Sequence, residues 1–177
     1  METQSKMTDV FLDTGYVIAL SDRRDRYHQR AREYAEQVSQ GGGQVVTTQD
    51  VLVEIGNALA AVGSRSFAVQ YIRAIERADA FEVVEASPEL FQRRLALYEE
   101  RQDKEWGLTD CISFVTMRDR GIQEALTTDH DFRAGGIHGA AAVVRAAPGG
   151  GASASQRASV STRSWSRIAS RLRARRR

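Results

Sequence analysis

A three-layer α/β/α sandwich around a mostly parallel sheet is the fold this sequence predicts, on three observations. Four short apolar runs, Val10–Leu12, Val45–Thr47, Phe81–Val84 and Ala125–Thr127, read as strands bounded by turn or cap residues. The segments between them carry apolar residues at helical spacing, and strands alternating with helices imply a parallel sheet covered on both faces. Asp13, Asp110 and Asp129 stand beside strand ends or helix starts, and open parallel sheets bind ligands beyond the carboxyl ends of their strands.

Taken in order, Val10–Leu12 is a buried strand left through the turn Asp13-Thr14-Gly15, with a helix beginning over Tyr16–Leu20. From about Asp25 to Gln40, Tyr27, Ala31, Tyr34, Ala35 and Val38 make one helical stripe, stopped by Gly41-Gly42-Gly43. Thr47 or Thr48 caps a helix expected to run through Val62 and end at Gly63. Ser66–Ala78 forms a further helix before the strand at Phe81–Val84. Ser87-Pro88-Glu89 combines an N-cap, a proline at the first helical position and an acid in the first turn, starting a helix to about Gln102. Thr109 is expected to cap the next helix, which Gly121 breaks.

At 177 residues the chain suits one domain with a full core. The expected organisation is an N-terminal extension over 1–7, a single domain over 8–147 and a tail over 148–177. Apolar and charged residues, at 42% and 27%, match ordinary globular proteins. No apolar run approaches the roughly 20 residues of a membrane helix. The start Met1-Glu2-Thr3-Gln4-Ser5-Lys6 lacks a signal-peptide layout, and Cys111 is the single cysteine, so cytoplasmic residence is expected. The net charge of +2 averages two unlike segments. Eight arginines and no acid follow Pro148; without them 17 basic residues face 23 acidic ones, a net of −6 for 1–147. An acidic body argues against bulk-charge nucleic-acid binding and suits a site that gathers divalent cations.

A carboxylate beside apolar residues is costly unless a cation, a hydrogen-bond donor or a proton compensates it. Asp13 closes the first strand, Glu54 lies in Val51-Leu52-Val53-Glu54-Ile55, Asp110 follows Leu108-Thr109, and Asp129 follows Thr127-Thr128. Each has an ordinary structural reading: a turn cap for Asp13, a helix-dipole partner for Asp110, a solvated helix residue for Glu54 and turn chemistry for Asp129. On a helical projection Glu54 falls at the edge of the stripe Val51, Ile55, Ala58, Leu59 and Val62, from which it can reach inward. Their joint occurrence favours a shared Mg²⁺ or Mn²⁺ ion, since hard cations prefer oxygen ligands.

Four stretches carry a resemblance: Val10-Phe11-Leu12-Asp13-Thr14-Gly15-Tyr16; the helix with Glu54; Asp103 to Ser113 around Leu108-Thr109-Asp110; and Ala125-Leu126-Thr127-Thr128-Asp129-His130-Asp131-Phe132. From Thr8 to Val144 the chain resembles PIN-domain ribonucleases, most of all the VapC-type bacterial toxins. The resemblance implies an α/β/α sandwich, usually a homodimer, that cleaves RNA with Mg²⁺ or Mn²⁺ and is neutralised by a small antitoxin. It implies in-line hydrolysis leaving a 5′ phosphate and a 3′ hydroxyl. Asp13, Glu54, Asp110 and Asp129 match its catalytic, metal-binding acids, with Asp131 at a more variable position. Thr14 and Ser113 match positions near the ions, where a hydroxyl orients a carboxylate. Other readings are a housekeeping RNA-processing nuclease of the same family and a non-catalytic module that binds RNA or protein. A receiver-type phosphotransfer domain is excluded, because neither Lys6 nor Lys104 sits at a late strand end.

The remaining candidates read as structural. Cys111 packs in a helix, Trp106 anchors a loop, and Asp103 braces one. His130 belongs to a turn, while His28 and His138 have no partners at zinc-ligand spacing. Arg23-Arg24-Asp25-Arg26 is a solvated surface. Pro148–Ser155 reads as a flexible linker; Trp165, Ile168, Ala169 and Leu172 beyond it recur at helical spacing among arginines, in a tail expected to be dispensable and mostly disordered.

Overall fold

Residues 9–41, 43–129 and 131–134 are described by a computed structural model of the chain. The expectations for the N-terminal extension, His130, His138 and the 148–177 tail lie outside them. The sheet has four strands: β1 (Val10–Leu12), β2 (Val45–Thr48), β3 (Phe81–Val84) and β4 (Glu124–Leu126). All neighbours are parallel, in the order β3-β2-β1-β4. Every residue of β1 and β2 is buried. Successive strand residues face opposite sides, so burial without alternation means that helices cover both faces of the central strands. The architecture is the expected α/β/α sandwich.

The helices are α1 (Thr14–Ser21), α2 (His28–Gly41), α3 (Gln49–Ala58), α4 (Arg65–Arg77), α5 (Pro88–Glu100), α6 (Leu108–Arg120) and the short α7 (Asp131–Ala134). Their starts follow local chemistry. Thr48 Oγ1 accepts from Val51 N at 3.2 Å, and Ser87 Oγ accepts from Leu90 N at 3.1 Å ahead of Pro88. Helix α6 stops at Gly121, whose φ of 65° is comfortable only for glycine, and Ile122 N closes back onto Met117 O at 2.9 Å. An aromatic chain joins the last helices to the sheet. Trp106 meets Phe114 at 4.6 Å between ring centroids, Phe114 meets Phe132 at 4.9 Å, and Phe132 meets Phe11 at 6.4 Å. Trp106 is therefore the buried loop anchor expected of it, with Arg101 stacked over its ring. Arg94 of α5 pairs with Asp50 of α3, tying those helices together.

Strand order decides where a ligand can enter. The chain steps outward from β1 to β2 to β3, then returns through α5 and α6 to place β4 on the other side of β1. The strand order thus reverses between β1 and β4, and in open parallel sheets ligands bind beyond the carboxyl ends of the strands at such a reversal.

Three local expectations need correction. Helix α3 ends at Ala58, four residues before Val62, because Ser64 and Arg65 side chains capture the carbonyls of Leu59, Ala60 and Ala61. Those bonds turn the chain into a loop, leaving Val62 92% exposed and outside the stripe that buries Val51, Ile55 and Leu59. Helix α1 begins at Thr14, with Asp13 as its cap, so Thr14 and Gly15 are helical rather than a free turn. Thr109 does not cap α6; Gly107 holds that position, and its backbone N–H is taken by the Asp110 side chain instead.

The revised end of α3 has a measurable consequence. Ile55→Ala, at a fully buried position, is expected to cost roughly 2–5 kcal/mol in urea unfolding. Val62→Ala is expected to fall within about 0.5 kcal/mol of wild type. Equal losses would restore the longer helix.

Candidate metal centre

Asp13 stands at the carboxyl end of β1, where it caps α1. Its backbone N–H donates to Leu126 O at 3.0 Å, prolonging the β1–β4 ladder by one residue. Its side chain, only 5% exposed, accepts from Gly15 N at 3.1 Å and from Thr127 Oγ1 at 2.6 Å, both on Oδ2. Gly15 is required by close approach: a Cβ there would lie 2.6 Å from Thr128 Oγ1 and 3.2 Å from Asp13 Oδ2. The neighbouring Thr47 hydroxyl, at the end of β2, donates to Leu12 O at 2.9 Å and secures the strand end from the other side.

The other expected acids enter from three further elements. Glu54, half-buried on α3, receives a 2.6 Å hydrogen bond from Thr14 Oγ1, so the first turn of α1 and the middle of α3 meet through that pair. Asp110 stands in the first turn of α6, where it accepts from Gly107 N at 2.7 Å and where the helix dipole favours a negative charge. Asp129 follows β4; its N–H donates to Thr127 Oγ1 at 2.9 Å, and its Oδ1 accepts from Asp131 N at 2.9 Å to start α7. Asp131 is thereby held next to Asp129.

Electrostatics join these carboxylates into one group. Burial raises the Asp13 pKa to about 6 against the opposing hydrogen bonds from Thr127, Gly15 and Thr14, and the charge of Asp110 adds to the rise. Burial likewise raises Asp110 to about 6 despite the Gly107 hydrogen bond, with Asp129, Glu54 and Asp131 adding repulsion. The charged groups acting on Asp110 are thus other carboxylates. Such a donor set, hard, anionic and drawn from four parts of the chain, fits a divalent cation by its chemistry. Among the described residues no three His, Cys, Asp or Glu side chains meet at ligating spacing as they stand. Thr14, Gly107 and Thr127 each hold one of the carboxylates by a hydrogen bond.

Several sequence candidates are not part of this group. Ser113 is fully buried, and its hydroxyl donates to Thr109 O one turn back in α6 at 2.9 Å. Cys111 is buried in the core. Asp103 pairs with Arg101 at 2.9 and 3.1 Å, which holds its pKa down at about 2 and makes it the loop brace expected. His28 Nδ1 contacts Ala19 O at 2.9 Å, a helix-to-helix tie. Thr127, Thr47 and Gly15 join the surroundings of Asp13 through the fold rather than through a local sequence pattern. A paired threonine after an apolar strand was the available signal for Thr127, but its partner lies 114 residues away in sequence.

Linkage gives the site a pH signature. Both aspartates have folded-state pKa values raised from 3.8 to about 6. Their favourable contribution is therefore complete below about pH 4 and is lost as pH rises through 6. Metal-free protein should show a Tm component that falls from pH 5 to 7, and Mn²⁺ should raise Tm more at pH 7 than at pH 5. Differential scanning calorimetry with and without Mn²⁺ measures both; a Mn²⁺ effect independent of pH would contradict the assignment.

Comparisons with known proteins identify the family and the fold. Residues 10–136 match the PIN domain family, a span that holds β1 through α7 and every acid described above. Among solved structures the chain is similar to VapC20 of Mycobacterium tuberculosis, described as a Sarcin-Ricin loop cleaving toxin. The two share 27% sequence identity at a TM-score of 0.64, over 72% of this chain and 95% of that one. No curated relative matches the chain. The family match and the parallel sheet with its acidic carboxyl edge together establish that the chain belongs to the PIN-domain family.

Proposed function

We propose that this protein is a divalent-cation-dependent endoribonuclease, and that it serves as the toxin of a toxin–antitoxin pair. The observation that supports the reading is the electrostatic coupling of the acids through Asp110, whose charge acts on Asp13 and which feels the charges of Asp129, Glu54 and Asp131. Asp13, Glu54, Asp110 and Asp129 would hold the ion, Mg²⁺ or Mn²⁺, with Asp131 behind Asp129. A cation bound there would supply Lewis acidity toward a phosphodiester and make water a competent nucleophile near neutral pH.

The chain's own residues do the positioning. Thr14 fixes the direction of Glu54, and Gly107 N–H fixes Asp110 at the amino end of α6. Thr127 and Gly15 set the rotation of the Asp13 carboxylate. Ser113, through Thr109 O, stiffens the helix turn that carries Asp110. Each is a preorganised contact that need not form during the reaction. The acids stand at the carboxyl side of the strands, where open parallel sheets receive their ligands and where an extended phosphodiester backbone would bind.

Structured RNA is the substrate class tested first, because the similar toxin is described as cleaving such a loop. A small antitoxin and a second copy of the chain are the proposed protein partners. Exposed Phe91, Leu95 and Tyr98, at i, i+4 and i+7 on α5, support a protein-binding face.

Inducing the wild type in a bacterial host, beside Asp13→Asn and Asp110→Asn, tests the reading. Growth arrest and discrete RNA fragments are expected from the wild type alone. With purified protein, cleavage should stop on chelation, return with Mn²⁺ and fall by about 100-fold or more in each variant. Cleavage without arrest would favour the housekeeping nuclease. No cleavage by the wild type under any divalent cation would leave a binding module.

A further inference from the structure

Thr127 joins two carboxylate positions through one hydroxyl. Its Oγ1 donates to Asp13 Oδ2 at 2.6 Å and accepts from Asp129 N at 2.9 Å. The side chain is fully buried. A hydroxyl has one proton, and here it goes to Asp13; the oxygen's acceptor capacity goes to the backbone of Asp129. The same residue follows β4, whose strand is in register with β1. One side chain therefore sets the rotation of the acid that follows β1 and the backbone course to the acid that follows β4.

We infer that Thr127 is a positioning residue of the metal centre, acting as a clamp that keeps Asp13 and Asp129 in ligating orientation together. The inference rests on the cation-dependent reading above. Neither contact alone requires threonine: a serine would make both, and valine would fill the same space while making neither. Outer-shell hydrogen bonds of this kind are worth about 10- to 100-fold in metal affinity or activity. Because the hydroxyl touches no substrate, its loss should act on ion binding and turnover and leave substrate capture alone.

The test compares wild type, Thr127→Val and Thr127→Ser by Mn²⁺ titration calorimetry and by cleavage kinetics on one structured RNA. Thr127→Val is expected to weaken Mn²⁺ binding about 10- to 100-fold and lower kcat, with KM for RNA within about 3-fold of wild type. Thr127→Ser is expected to recover both. Circular dichroism and Tm in the absence of metal show whether Thr127→Val is folded; should it unfold, Thr127→Ser and Thr127→Cys carry the comparison, with the weaker hydroxyl-to-thiol donor expected to bind Mn²⁺ less well than serine. Mn²⁺ affinity and kcat in a folded Thr127→Val equal to wild type would overturn the inference while leaving the metal site intact. Absence of Mn²⁺ binding by the wild type itself would overturn the cation-dependent reading and this inference with it.

Discussion

Asp13 is a carboxylate withdrawn from water at the end of a buried strand, and the surrounding chain is arranged around keeping it there. Burial favours its protonated form, and its pKa stands at about 6 even with the hydrogen bonds it accepts. Three donors from the chain oppose that tendency, from Thr127, Gly15 and Thr14. Their presence dictates local structure on three sides. Gly15 must lack a side chain to let Thr128 approach, α1 must start at Thr14, and β4 must lie in register with β1 to bring Thr127 alongside. Remove the charge at Asp13 and these arrangements have no common purpose.

The remaining acids extend the same logic. Asp110 sits at a helix amino end, which favours its charge, yet burial and three neighbouring carboxylates still lift its pKa. Clustered like charges are a stability cost that folding would otherwise remove. A shared cation would turn that cost into affinity, since the repulsion relieved on binding would be repulsion already present in the fold. The rest of the molecule supplies rigidity at a distance. Trp106, Phe114, Phe132 and Phe11 run from the loop before α6 to the central strand, so the helix carrying Asp110 and the strand preceding Asp13 are packed as one body.

Much of this was legible in the amino-acid sequence, for identifiable reasons. Strand runs such as Val10-Phe11-Leu12 and caps such as Ser87-Pro88 are local signals, and both have the expected structure. Local reading failed where a side chain outcompeted propensity: Ser64 and Arg65 end α3 early, and the Asp110 carboxylate takes the N-terminal role at α6 that Thr109 was expected to play. In the candidate site, the four acids stood out because each lies beside apolar residues near an element's end. Thr127 did not, because its significance depends on the β1–β4 register, which no local pattern encodes. Glu54 was readable as an edge position of its helix, but its tie to Thr14 needed the packing of α1 on α3.

Asp13, Glu54, Asp110 and Asp129 are proposed to hold one divalent cation jointly. The most direct measurement is anomalous diffraction from crystals of the protein soaked in Mn²⁺. An anomalous peak bounded by Asp13, Glu54, Asp110 and Asp129, and absent in Asp13→Asn crystals, is the result this account predicts. Mn²⁺ bound elsewhere, or a peak that persists without the Asp13 carboxylate, would contradict it.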